Sequence, residues 1–157
     1  MRRAPPKAQE VVLSTWSDLS GRLTENGHVL PVRVYYEDTD FTGAVYHGSF
    51  VRFFERGRSD YLRLLGVHHH KLKQGENGLP LAFAVKSLQL DFARPARIDD
   101  VIEIHTRLIR AKGARIVLEQ VASRDGDELA RATVTVAVIS EDGRPARLPE
   151  TLALKLR

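Results

Sequence analysis

Residues 45–66 read VYHGSFVRFFERGRSDYLRLLG, and the way this run folds decides how the rest of the chain is arranged. Phe50, Phe53 or Phe54, Gly57, Tyr61, Leu64 and Leu65 recur at steps of three and four, the spacing that gathers side chains on one helix face. Arg52, Glu55, Arg56, Arg58 and Arg63 fill much of the other face. Gly66 stands where a glycine just past the C-cap ends a helix. About 18 helical residues span about 27 Å, enough to run the length of a small sheet. One long helix is expected.

Upstream, Val32, Val34 and Tyr36 alternate with Arg33 and Tyr35, the period of a half-buried strand, so the first core strand is expected over 29–36. The acidic, turn-rich run 37–43 joins it to the helix. Downstream, strands are expected over 81–92, 101–110, 115–123 and 129–140. Between them lie Arg94-Pro95-Ala96, Lys112-Gly113 and Asp125-Gly126, and Asp142-Gly143 follows the last, each a turn by its own chemistry. Long strands with tight connections form an antiparallel meander. The fold class is therefore α+β, a curled antiparallel sheet around one helix. Pro5-Pro6, Ser20-Gly21 and Asn26-Gly27 argue against a core element before Val29, dividing the chain into an extension, 1–28, and one folded domain, 29–157.

A chain of 157 residues builds one sizeable core, and its 43% hydrophobic and 28% charged residues sit near the globular average. No apolar run approaches the roughly 18 residues of a membrane-spanning helix. The absence of cysteine removes disulfides, thiol nucleophiles and thiolate metal sites, in keeping with a reducing compartment, and the cytoplasm is the expected location. The net charge of +4 is dispersed, and no nucleic-acid motif or stacking-aromatic ladder accompanies it, so nucleic acid is not an expected partner.

The chemistry-bearing run is Tyr35-Tyr36-Glu37-Asp38-Thr39-Asp40-Phe41-Thr42-Gly43-Ala44-Val45-Tyr46-His47. Taken bare, Asp38 and Asp40 before a helix read as turn or capping residues. Asp38, Asp40, Thr42 and Gly43 also match the opening of an EF-hand loop, but the twelfth position would be Ser49, which supplies no bidentate carboxylate. His68-His69-His70 lacks the paired spacing of a helical metal site and reads as a solvated run. Ser49, without a G-x-S-x-G elbow, reads as a cap. No metal is expected.

This run, continued by Phe53-Phe54-Glu55-Arg56-Gly57-Arg58-Ser59-Asp60-Tyr61-Leu62 and by Phe92-Ala93-Arg94-Pro95-Ala96-Arg97-Ile98-Asp99-Asp100, resembles the Tol-Pal-associated acyl-CoA thioesterases. These belong to the hotdog family that includes 4-hydroxybenzoyl-CoA thioesterase. The resemblance covers about residues 29–150 and implies a hotdog fold and thioester hydrolysis. It makes Asp40, followed by Gly43 in an Asp-x-x-Gly step, the catalytic carboxylate, and makes the backbone amide of His47 the group that binds the thioester carbonyl. Where the subgroup commonly reads His-Ala-Asn-Tyr or His-Ala-Ser-Tyr, this chain has His47-Gly48-Ser49-Phe50, so no tyrosine hydroxyl acts from position 50.

A carboxylate and an oxyanion site suffice for a thioester, because a thiol of pKa about 8.5 leaves without a dedicated acid. The first turn of a helix supplies unpaired N–H donors aimed at the growing charge. Asp40 suits either nucleophilic attack or deprotonation of water. The His47 side chain is a further catalytic candidate, and Tyr46, Gly43 and Glu55 are candidate substrate contacts. Arg110, Lys112 and Arg115 flank a hairpin as candidates for coenzyme A phosphates or as a solvated basic turn. The implied partners are acyl-CoA, with acyl carrier protein as a second carrier, and further copies of the chain in a homodimer or homotetramer, because exposed sheet edges invite pairing. Beyond the coenzyme A of the substrate no cofactor is expected. A hotdog hydratase or dehydratase and a non-enzymatic acyl-binding module are the alternatives.

Overall fold

The structure, a computed structural model, describes residue 16 and residues 18–75 and 78–156. Two short strands open it, β1 (Arg22–Thr24) and β2 (Gly27–Arg33), followed by a single 3-10 turn at Tyr36–Asp38 and the long helix α1 (His47–Leu64). A short helix α2 (His69–Lys73) leads to β3 (Leu81–Phe92), β4 (Val101–Lys112), β5 (Arg115–Arg124) and β6 (Asp127–Ser140), and α3 (Glu150–Lys155) closes the chain. The strands form one six-stranded sheet in the order β1-β2-β4-β5-β6-β3, every pair antiparallel.

The inward face of the sheet carries Leu30, Val32, Ile102, Ile104, Leu118, Val134 and Val138, all buried at every second position of their strands. Against it α1 sets Phe50, Phe53, Phe54, Gly57 and Tyr61. At Gly57 the helix comes so near that an added Cβ would stand 2.7 Å from Ile104 Cγ2 and 3.1 Å from Gln120 Nε2. A Schellman motif ends α1: Val67 N–H bonds Leu62 O at 2.8 Å and Gly66 N–H bonds Arg63 O at 3.0 Å. It needs the positive φ of Gly66, 78°. Val67, buried, supplies the apolar contact that accompanies it.

Three details depart from the sequence reading. The turn at Asn26-Gly27 does not end an extension; it closes a hairpin in which Thr24 faces Gly27, so residues 22–28 belong to the sheet and His28 is 1% exposed. The extension's first 15 residues lie outside the described residues. The first core strand stops at Arg33, because Val34 N–H turns to Asp100 O and Tyr35 N–H to the Asp38 carboxylate, which leaves Tyr36 exposed. Arg58, assigned to the solvent face of the helix, is buried on the sheet side.

Candidate active site

The loop between β2 and α1 is held by its own backbone. Asp40 N–H donates to Ala44 O at 2.9 Å and Gly43 N–H to Asp40 O at 3.0 Å, a turn that requires the left-handed φ of Gly43, 82°. Val45 N–H reaches Ala96 O at 2.8 Å, which ties the loop to the segment between β3 and β4. Asp38 is a buried anchor. Its carboxylate accepts from Tyr35 N–H at 2.9 Å, and its carbonyl accepts from Tyr46 N–H at 2.9 Å and Ser49 Oγ–H at 3.0 Å. Ser49 therefore does not cap its own helix; its hydroxyl is spent on tethering the loop.

Asp40 is exposed at the tip of this turn. Its Oδ1 accepts from Thr42 N–H at 2.8 Å and Thr42 Oγ1–H at 2.5 Å. The Thr42 hydroxyl, then the Thr42 amide, with smaller help from the Ala44 bond and the field of His47, hold the carboxyl below its ordinary range. It is an anion at neutral pH. The side chain borders a shallow recess of about 410 Å³ with Tyr36, Thr39, Phe41, Gly43 and Ile98.

Seven residues after Asp40, α1 begins. The N–H groups of His47 and Gly48 precede the first carbonyl a helix offers, so they remain free donors at the positive end of the dipole. The Tyr46 ring folds back over this start and lies 4.2 Å from the His47 ring, centroid to centroid. A Cβ on Gly48 would stand 2.6 Å from Tyr46 Cε1, so glycine there gives the ring its place.

The structure thus brings together Asp40, Gly43, Tyr46 and His47. It does not bring Glu55 to them: its Oε1 accepts from Ser59 Oγ–H at 2.8 Å, and the side chain lines a different cavity two helical turns away. Nor does it bring Arg110, Lys112 and Arg115. Val101, where β4 starts, pairs with Arg33 beside the Asp40 loop, whereas Lys112 pairs with Arg115 at the other end of the strand. At about 3.3 Å per residue the two ends of β4 stand about 36 Å apart. Sequence reasoning missed Arg97, whose backbone bridges Ala44 and whose exposed guanidinium makes no ion pair among the described residues. The signal lay in the Arg94-Pro95-Ala96-Arg97 turn, read for its geometry and not for its charge. No group of His, Asp and Glu side chains able to hold a metal occurs among the described residues.

Residues 34–156 match the thioesterase-like superfamily. The chain is 43% identical over 117 residues to the acyl-CoA thioesterase YbgC of Haemophilus influenzae, a match covering 74% of this chain and 84% of that protein. It is 36% identical over 129 residues to the acyl-CoA thioester hydrolase YbgC of Escherichia coli O157:H7, covering 81% and 93%. Among solved structures it is similar to a probable thioesterase from Bartonella henselae, with a TM-score of 0.76 and 44% identity over 78% of this chain and 99% of that one. The match runs from the first residue after β2 to the last turn of α3 and takes in the whole Asp40 loop, so this chain belongs to the thioesterase-like superfamily, with the hotdog architecture its sheet and helix already display.

Proposed function

We propose that the protein hydrolyses acyl-CoA thioesters, and those of acyl carrier protein, to free acid and thiol, with Asp40 as the reacting carboxylate and the His47 N–H at the carbonyl oxygen. One observation carries this reading: a single hydrogen-bonded loop presents an ionised carboxylate and, seven residues later, the open amides of a helix start. The depressed pKa of Asp40 keeps it ionised at neutral pH, able to take a proton from water or to enter a sequence of direct attack. In that sequence Asp40 Oδ2 bonds to the carbonyl carbon and negative charge gathers on the oxygen facing the His47 amide. The thiolate then leaves, and water cleaves the resulting anhydride to regenerate Asp40. The His47 imidazole, tilted against the Tyr46 ring, positions water or the carboxylate. No metal and no cofactor beyond the substrate's own coenzyme A enters these steps.

Arg97, beside the loop, replaces the distant hairpin as the proposed contact for coenzyme A phosphates. A second copy completes the site. The outer edge of β3 pairs with no strand among the described residues over 12 residues, and Phe41 (102% exposed) and Tyr36 (84% exposed) stand bare around the recess. A homodimer, or a dimer of such dimers, covers both. No described helix is long and apolar enough to cross a membrane, and the cytoplasm, where acyl-CoA is at hand, is the proposed location. The Tol-Pal association implied by the resemblance stays within this proposal.

The test is a hydrolysis screen across acyl-CoA chain lengths with a thiol-detecting reagent, with light scattering on the same sample. Thiol release by an oligomer supports the reading. A folded oligomer that releases none overturns the hydrolase, and a monomer at full activity overturns the shared site.

A further inference from the structure

A second cavity, of about 190 Å³, lies under the latter half of α1 and shares no lining residue with the Asp40 recess. Its walls are mostly hydrocarbon: Tyr61, Leu62, Phe83, Ile116, Leu118 and Leu156. A cavity of about 150 Å³ of that character holds benzene, so this one holds a ring or short branched chain with a small polar group. Arg58 also lines it, and Arg58 is only 9% exposed.

A guanidinium in such surroundings needs an anion or full hydrogen bonding. It has neither. Nη1 donates to Gln120 Oε1 at 2.9 Å, and the Gln120 amide is fixed in that orientation because its Nε2–H groups go to Phe54 O and Thr106 Oγ1, each at 2.9 Å. The guanidinium has five N–H donors, and no second partner for it occurs among the described residues. Burial lowers the pKa of Arg58, and the field of Glu55 opposes this, but Glu55 keeps its Oε1 on the Ser59 hydroxyl and forms no ion pair with Arg58. His69, at the cavity wall and 3.4 Å from Ser59 Oγ, is pushed down by burial and is neutral at pH 7, so it neither competes as a cation nor supplies an anion.

We propose that this cavity binds a small apolar molecule bearing a carboxylate, the carboxylate on Arg58 and the hydrocarbon against Leu62, Ile116, Leu118 and Leu156. By helix rise Arg58 stands about 16 Å from His47, so the bound carboxylate lies apart from the thioester carbonyl. It belongs either to a free carboxylic acid, the product class of the hydrolysis, or to the far end of an acyl group still on its thioester. Only the second source rests on the hydrolase reading.

The experiment titrates the full-length protein with benzoate and with benzyl alcohol, following amide resonances by NMR. Benzoate is expected to bind at least ten-fold tighter than the alcohol and to shift residues 58, 62 and 116–118. Arg58→Met is expected to abolish the preference and to lower the melting temperature, because the buried Gln120 Oε1 loses its donor. Arg58→Lys should retain part of it. Equal binding of the two compounds, a benzoate preference that survives Arg58→Met, or shifts confined to residues 40–47 would overturn the proposal. If neither variant folds, the wild-type preference and footprint decide it alone. A second arm compares hydrolysis of octanedioyl-CoA and octanoyl-CoA. A ten-fold preference for the former, lost in Arg58→Met, assigns the site to the substrate's distal carboxylate; equal rates alongside tight benzoate binding assign it to a free acid. Failure to hydrolyse either ester counts against the hydrolase reading and leaves the benzoate result standing.

Discussion

The two halves of α1 solve opposite problems. The first half drives Phe50, Phe53 and Phe54 into the sheet and leaves its terminal amides facing outward, next to a carboxylate held in the open by Thr42. The second half presses Gly57, Arg58 and Tyr61 onto Gln120, Thr106 and His28, burying a cluster of polar side chains where the first half buries only that of Ser49. Dry packing fixes the helix where chemistry needs its N-terminus, and a costly buried polar cluster lies where no step of hydrolysis is drawn. The difference teaches that one helix can join a dry, packed first half, beside the proposed reacting carboxylate, to a polar second half that holds the proposed ligand site.

The largest expected effect falls on the packing of the first half. Phe53→Ala should destabilise the protein by about 3–5 kcal/mol, because the fully buried ring leaves a cavity that the helix and sheet cannot close. A urea midpoint unchanged by this substitution would break the contrast, since the first half would then not be what anchors the helix. Next comes Gln120→Leu, which strips partners from Arg58, Phe54 O and Thr106 at once; a loss of about 1–3 kcal/mol is expected for the orphaned groups. Adding Arg58→Met to it should recover part of that loss, and a double variant no more stable than the single one would show that the cluster is not coupled as drawn.

A smaller effect is expected from His28. Its Nε2–H donates to Ser20 O at 2.6 Å, its Nδ1 is buried without a partner among the described residues, and its ring stacks on Tyr61 at 5.7 Å. Burial lowers its pKa, with the Ser20 bond and Asp60 opposing. The folded state therefore resists a proton that the unfolded chain accepts below about pH 6.5, so His28 costs stability as pH falls through that value. Melting temperature should drop between pH 7.5 and 5.5, and His28→Phe should flatten the slope. An unchanged slope would place the acid sensitivity elsewhere.

Most of the architecture was legible because it rests on periodicity and turn chemistry. The limits of β3 came out to the residue, and Lys112-Gly113 and Asp125-Gly126 turn where their composition says they must. What escaped depends on partners remote in sequence. Asn26-Gly27 is the same signal whether it ends a tail or joins two strands, and only pairing across to Thr106 and its neighbours decides. Arg58 looks like one more solvated arginine until Gln120, 62 positions away, is seen to receive it. At the site, Asp40, Gly43, Tyr46 and His47 were found together because they are local in sequence. Glu55 and the 110–115 hairpin lie farther off, two helical turns along α1 and at the other end of β4, because charge in a sequence carries no distance until the elements are laid out.

The central claim is that the exposed half of this comparison is where the reaction happens, and Asp40→Asn tests it most directly. The amide keeps the shape and an acceptor for Thr42 but can neither attack a carbonyl nor take a proton effectively. Single-turnover hydrolysis of an acyl-CoA that the wild type cleaves should fall by about 10²-fold or more with binding and melting temperature kept, while Asp38→Asn, altering the anchor and not the reacting group, should slow it far less. Turnover near the wild-type rate by a folded Asp40→Asn protein would contradict the account.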